Sequence, residues 1–401
     1  MKCLSLKKHV AQAVLLLFTV LAVSGCRKVQ NPSPETPTKR GFLFFNYYVE
    51  NPTQRLALTK KGKVKNKLYS GSTLKVFIWT NCLPQAVLDT FTERFGARVV
   101  LSHYETDKEL HTRLAQGESY DLIMPSGFMV EDLIHEHRLA YLAHGALLNL
   151  TNVDQSFRSN VFDPHASYAI PYLWSTAGIA YNFKLLDHIP RKWGDLFEPE
   201  EHLATFLTNR ISLLPGHIRG IAAALIHLGY SPNSHETNEL NAAFQYLEMQ
   251  ARKYHFQFLR ATLPEALASE NVLLAQAYSF HAAQAAKLNR YIHFVLPEEG
   301  VWTTVFFFAI PRETIGKQKY LAEEFLNFLM DPFIAATVVN YSYLATTIHA
   351  ARSFIEPSIK HGPTYVHPLH SLQQRYDPVG EEFREVLWKQ ETNDLKIPAA
   401  Y

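Results

Sequence analysis

The chain has 401 residues, 47% of them hydrophobic, with a formal net charge of +2. That is ample apolar material for a large core and more than one domain would usually hold. The charge is uneven, +8 over residues 27–73 and −9 over 74–401, and so acidic a main body argues against nucleic acid as a partner. Aromatic residues are abundant, with 26 Phe, 20 Tyr and 5 Trp, which suits a large core and pockets lined by ring faces.

The first 25 residues read as a targeting segment. Lys2, Lys7 and Lys8 precede an apolar stretch at 11–23 that is too short for a comfortable membrane span. Val23-Ser24-Gly25-Cys26 then has the small residues and cysteine of a bacterial lipobox. Cleavage before Cys26 and acylation of that residue are expected. An ordinary signal peptide with Cys26 just outside it is the alternative. Cys3 leaves with the signal, and Cys82 is then alone, so one chain has no disulfide framework. Residues 26–73 read as a tether. Its 31–40 stretch is rich in Pro and Thr, 41–50 is aromatic, and 60–67 is basic enough to meet anionic headgroups or to serve as a solvated linker.

From residue 74 the pattern alternates. The run 74–79 is apolar, β-branched and aromatic, as a buried strand should be, and 84–95 begins with Pro84 and places Val87, Leu88, Phe91 and Phe95 at helical spacing before Gly96. A strand is expected at 98–101, a helix from Asp107, a strand at 120–125 and a helix at 131–137. Two consecutive strands are expected at 168–174 and 178–182. The second half offers a strand at 211–214, helices near 217–228 and 238–253, strands at 292–296 and 305–310, and a helix at 320–330. This alternation predicts an α/β fold with a parallel sheet and helices on both faces. In such a sheet ligands lie at the carboxyl ends of the strands. Trp79, Thr80 and Asn81 therefore stand at the mouth of a cleft.

Signals for covalent chemistry are poor. The chain has no G-x-S-x-G, no G-x-x-x-x-G-K-[ST] and no H-E-x-x-H. His135-Glu136-His137 has the wrong spacing to present two ligands from one helical face. Tyr341-Ser342-Tyr343 is weak as a metal-binding tyrosine pair, because its tyrosines are not adjacent and no acid lies beside them. No metal and no cofactor are expected.

From 74 to about 385 the chain resembles the bacterial spermidine/putrescine-binding proteins of ABC importers. The matching pieces are Trp79-Thr80, Tyr120-Asp121-Leu122-Ile123-Met124-Pro125-Ser126, Tyr168-Ala169-Ile170-Pro171-Tyr172-Leu173-Trp174, Leu228-Gly229-Tyr230-Ser231, Pro297-Glu298-Glu299-Gly300, Ala309-Ile310-Pro311, Phe325-Leu326-Asn327-Phe328-Leu329 and Ala350-Ala351-Arg352. The resemblance implies a two-lobed periplasmic-binding-protein fold of type II with the ligand between lobes. Lobe one would be 74–176 plus 305–350, and lobe two 177–304 plus 351–401. It also implies a non-enzymatic protein outside the cytoplasm that passes a small solute to a permease and its ATPase, and the lipobox adds an anchor at Cys26 on the periplasmic or outer face of a membrane.

The ligand positions depart from that family. Where it has an acid after Trp-Thr, this chain has Asn81, and two family acids fall on Gly216 and Arg219. A family tryptophan falls on Tyr278, the Trp and Asp of a later strand on Thr304 and Phe306 with Trp302 nearby, and a tyrosine on Leu344 beside Tyr343. Ser126 and Phe128 keep the Pro-Ser and aromatic wall. The resemblance implies a polyamine, but four expected carboxylates have no counterpart, and cation–π contacts of about 0.5–2 kcal/mol each would not replace them. Arg219 near a helix N-terminus favours an anion instead. A non-polyamine anionic, zwitterionic or neutral solute therefore stays open. So do a surface lipoprotein that has lost transport and an enzyme built around Cys82 or Ser126.

Overall fold

The structure is a computed structural model and describes residues 69–366 except 187 and 216; for 217–219 only the backbone is described. Cys26 and most of the tether lie outside the described residues.

The strands are β1 (Thr73–Trp79), β2 (Arg98–Tyr104), β3 (Leu122–Ile123), β4 (Ala169–Asn182), β5 (Ile211–Leu213), β6 (Gln257–Phe258), β7 (Leu274–Tyr278), β8 (Ile292–Val295), β9 (Thr303–Ala309) and β10 (Ala345–Thr346). They follow the order β2-β1-β3-β9-β4-β7-β5-β6, with β8 and β10 also on β4. β1 pairs in parallel with β2 and β3, and β5 with β6 and β7. These are the two βα halves that the alternation predicts. The sheet is nonetheless mixed, because β9 and β7 run antiparallel to β4.

β4 corrects the expectation of two strands. Its fourteen residues are all buried and run without a turn. Residues 169–176 pair with β9, and 177–182 pair with β7 and β8. Ser175, Thr176 and Ala177 lack bulk, so they read as a gap before a strand that begins at Gly178. They are small because β4 there crosses from one sheet to the other: an added Cβ on Gly178 would lie 2.5 Å from the Val295 carbonyl oxygen. The buried hydroxyls at the crossing satisfy one another, with Ser175 Oγ 2.9 Å from Ser279 Oγ and Thr176 Oγ1 3.0 Å from Thr303 Oγ1.

Two bodies of core flank that crossing. The first gathers Leu74, Phe77, Phe91, Tyr172, Phe307 and Phe325. Tyr69 joins it, as do Ala351, Ile355 and Ile359, although 351–401 is grouped with lobe two in the sequence. The second holds Trp193 stacked on Trp302 at 5.8 Å, with Phe197 and Phe244, beside a smaller cluster of Leu263, Leu267 and Ala275. The helix Gln85–Phe95 buries Val87, Leu88 and Phe91, and Gly96 ends it at φ 75°.

Other boundaries shift for local reasons. The helix expected at 131–137 spans Gly127–His135, because Ser126 takes the extended N-cap position. Phe128 is therefore in its first turn. Pro332 opens a further helix, Pro332–Ser342, whose N-terminus Asp331 caps through bonds from the Phe333 and Ile334 amides. Among the described residues no helix is long and apolar enough to cross a membrane.

Candidate functional site

The site starts at the carboxyl ends of β1 and β2. Trp79 ends β1 at 7% exposure, with its ring 4.9 Å from Tyr104 and 5.5 Å, edge-on, from Phe306. Thr80 is exposed and donates through Oγ1 to Glu105 Oε1 at 2.6 Å. Asn81 follows, exposed and left-handed at φ 60°, a conformation asparagine tolerates better than most residues. Glu105 is the first residue after β2. Its amide donates to Glu109 Oε2 in the first turn of the helix Asp107–Ala115, and Asp107 accepts a bond from the Ser126 amide at 3.2 Å.

β9 supplies the facing wall. Thr304 and Phe306 are two apart and share one face of the strand. Phe306 bridges to Ser126, whose Oγ is buried without a hydrogen-bond partner. Thr304 Oγ1 lies 3.4 Å from the Tyr278 hydroxyl, which accepts from Trp302 Nε1 at 3.4 Å. Trp302 is fully buried against Trp193 and so is core. Phe128, half-buried, meets Phe162 edge-on at 4.9 Å. Gly127 between Ser126 and Phe128 is needed there, because an added Cβ would lie 2.3 Å from the Phe162 ring.

The predicted residues thus fall into groups. Trp79, Ser126 and Phe306 lie together, Tyr278 and Thr304 join them through the shared face of β9, and Thr80 joins through Glu105. Tyr343 sits apart, at φ 63° after the helix Pro332–Ser342, with Lys287 Nζ 5.5 Å from its ring centre. Arg219 is in the helix His217–His227, and its side chain lies outside the described ones.

Two charged residues that the sequence reading missed meet here. The Arg260 guanidinium lies 5.6 Å from the Trp79 ring centre, and its Nη1 is 3.1 Å from Glu105 Oε2 and donates to the Glu105 carbonyl at 3.1 Å. Arg260 follows β6, between Leu259 and Leu263 of the smaller cluster, whereas Glu105 extends from the first core. The pair therefore ties one core to the other. The side chains are 24% and 44% exposed, so water screens the ion pair and it adds less than about 1 kcal/mol to folding. Glu105 also supplies a carboxylate where the sequence offered none.

The groups suggested for covalent chemistry are differently placed. Cys82 is buried, and burial, with a smaller contribution from Glu105, pushes its thiol up to about 12. It is therefore a protonated core thiol at neutral pH. Glu136 pairs with His111 at 2.9 Å, and His137 turns left-handed beyond the helix. Among the described residues no group of three or more His, Cys, Asp or Glu is set to hold a metal.

Two sheets joined by a through-running strand, each with its own core and with aromatic and charged residues where they meet, are the architecture of a periplasmic-type binding protein. Residues 86–364 match the family of bacterial extracellular solute-binding proteins, and the chain belongs to that family. It is 29% identical over 337 residues to a putrescine-binding periplasmic protein of Pseudomonas aeruginosa, covering 80% of this chain and 90% of that one. It is 28% identical over 299 residues to the spermidine/putrescine-binding periplasmic protein of Escherichia coli, covering 73% and 82%. A solved structure named for a spermidine/putrescine ABC transporter of Listeria monocytogenes superposes with TM-score 0.72 at 23% identity, covering 80% of this chain and 99% of that one. A Treponema pallidum lipoprotein gives TM-score 0.67 at 22% identity, covering 80% and 99%.

Proposed function

We propose that this protein captures a small polyamine in the cleft between its two lobes and delivers it to an ABC permease. The observation that carries the reading is the cation already held over Trp79 beside Glu105. An indole face and a carboxylate at adjacent strand ends are what an ammonium needs when it leaves water. The polyamine-binding names of the relatives support the same class of ligand. Trp79, Phe306 and Tyr278 would sandwich the methylenes, Glu105 would pair with one ammonium, and Thr80, Asn81, Ser126 and Thr304 would supply polar contacts, with Phe128 and Tyr343 at the margins. The lobes are taken as 74–176 with 305–366 and 177–304, closing about the β4 crossing by hinge motion. The protein does no covalent chemistry and needs no cofactor.

A thermal-shift panel on the mature chain with putrescine, spermidine, small anions and amino acids tests the reading. A polyamine at about a hundred times its Kd adds roughly 2.7 kcal/mol to stability. A shift with anions or amino acids alone would contradict it.

We further propose that the mature chain is periplasmic and lipid-anchored at Cys26. More than one acyl chain is needed for firm anchorage, so Cys26→Ala releases the protein from the membrane fraction. Unchanged retention on fractionation would sink the lipobox reading.

A further inference from the structure

We propose that Arg260 is a specificity-determining residue, and that its guanidinium shares Glu105 with one cationic end of the solute, restricting the cleft to solutes of lower charge. The inference rests on the polyamine reading above and names what limits it. Three observations converge. The guanidinium covers the Trp79 face at 5.6 Å. It pairs with Glu105, the carboxylate that also accepts from Thr80. It also reaches this place from the opposite core, 155 residues along the chain, through a second bond to the Glu105 carbonyl.

An arginine held in two ways at this point is part of the cleft wall and not a passing surface contact. Its charge and that of Glu105 cancel. A solute ammonium brought to the same carboxylate would stand within a few ångströms of a fixed like charge, which disfavours it. A dication brings one ammonium beside Arg260 and keeps its other end away, whereas a trication has one ammonium more to accommodate. Wild-type protein is therefore selective for a short diamine over a longer triamine.

The test is calorimetric titration of the mature protein and of its Arg260→Gln and Arg260→Lys variants with putrescine and spermidine. Arg260 is partly exposed, so neutralising it leaves the fold intact. The expected result is that Arg260→Gln improves spermidine affinity at least tenfold relative to putrescine, while Arg260→Lys keeps the wild-type preference. An unchanged ratio in Arg260→Gln, or equal loss for both amines, overturns the proposal. Should none of these proteins bind a polyamine, the polyamine reading fails and a second arm decides on Arg260. Propylguanidinium raises the melting temperature of Arg260→Ala, but not of wild type, if the guanidinium occupies a cation seat. The absence of that difference overturns it.

Discussion

Trp79→Ala weakens binding of a cationic solute at least tenfold and also lowers the stability of the fold by about 3–5 kcal/mol, the usual cost of emptying a buried tryptophan site. Both effects come from one ring. On its inner side the indole packs against Tyr104 and Phe306, so truncation leaves a cavity between β1, β2 and β9. On its outer side it faces the Arg260 guanidinium, where the solute ammonium is proposed to dock, and a desolvated cation–π contact is worth up to about 2 kcal/mol. Trp79→Phe separates the two, because it refills part of the cavity while offering a weaker ring face. Its stability is expected to recover further than its affinity. Urea denaturation and titration on the same variants read the two quantities. Equal affinity in Trp79→Ala would place the ligand elsewhere.

Asp163→Ala costs about 3–5 kcal/mol by stranding buried donors. The Asp163 side chain, 4% exposed, accepts from the amides of Ser167, Tyr168 and Ala169 at 3.0, 2.7 and 3.0 Å. These three bonds turn the chain into the start of β4. The same loop carries Phe162, which abuts Phe128, so the variant also loosens that margin of the cleft. Asp163→Asn keeps one acceptor oxygen and is expected to lose about half as much. A loss below about 1 kcal/mol in Asp163→Ala, measured by denaturant titration, would mean that the loop is held by other contacts.

What the sequence made legible follows the strength of local pattern. β1 and the helix after it are bounded by Pro84 and Gly96, which is why Trp79 and Thr80 could be placed at a strand's carboxyl end. Phe306 and Thr304 were reachable through the family resemblance, Phe306 within the apolar run 305–310 and Thr304 just before it. Glu105 was hidden because β2 lies at the edge of the sheet, where Ser102 and His103 interrupt the apolar pattern. The strand was expected to end at 101, so the residue following its true end went unseen. Arg260 gives no local signal, since its partner is 155 residues away. β4 was divided because the small residues that let two sheets share one strand look like a break. The polyamine resemblance pointed to carboxylates at Asn81, Gly216, Arg219 and Phe306, none of which is an acid, whereas the one at Trp79 comes from the end of a different strand.

The central claim is that a cation is recognised at Trp79 by the carboxylate of Glu105. Calorimetric titration of putrescine into mature wild-type protein and into Glu105→Gln tests it most directly. The account predicts one site per chain in the wild type and at least a tenfold loss in Glu105→Gln, where the ammonium loses its partner and still faces Arg260. Unaltered putrescine affinity in Glu105→Gln, or no binding to the wild type, would contradict it.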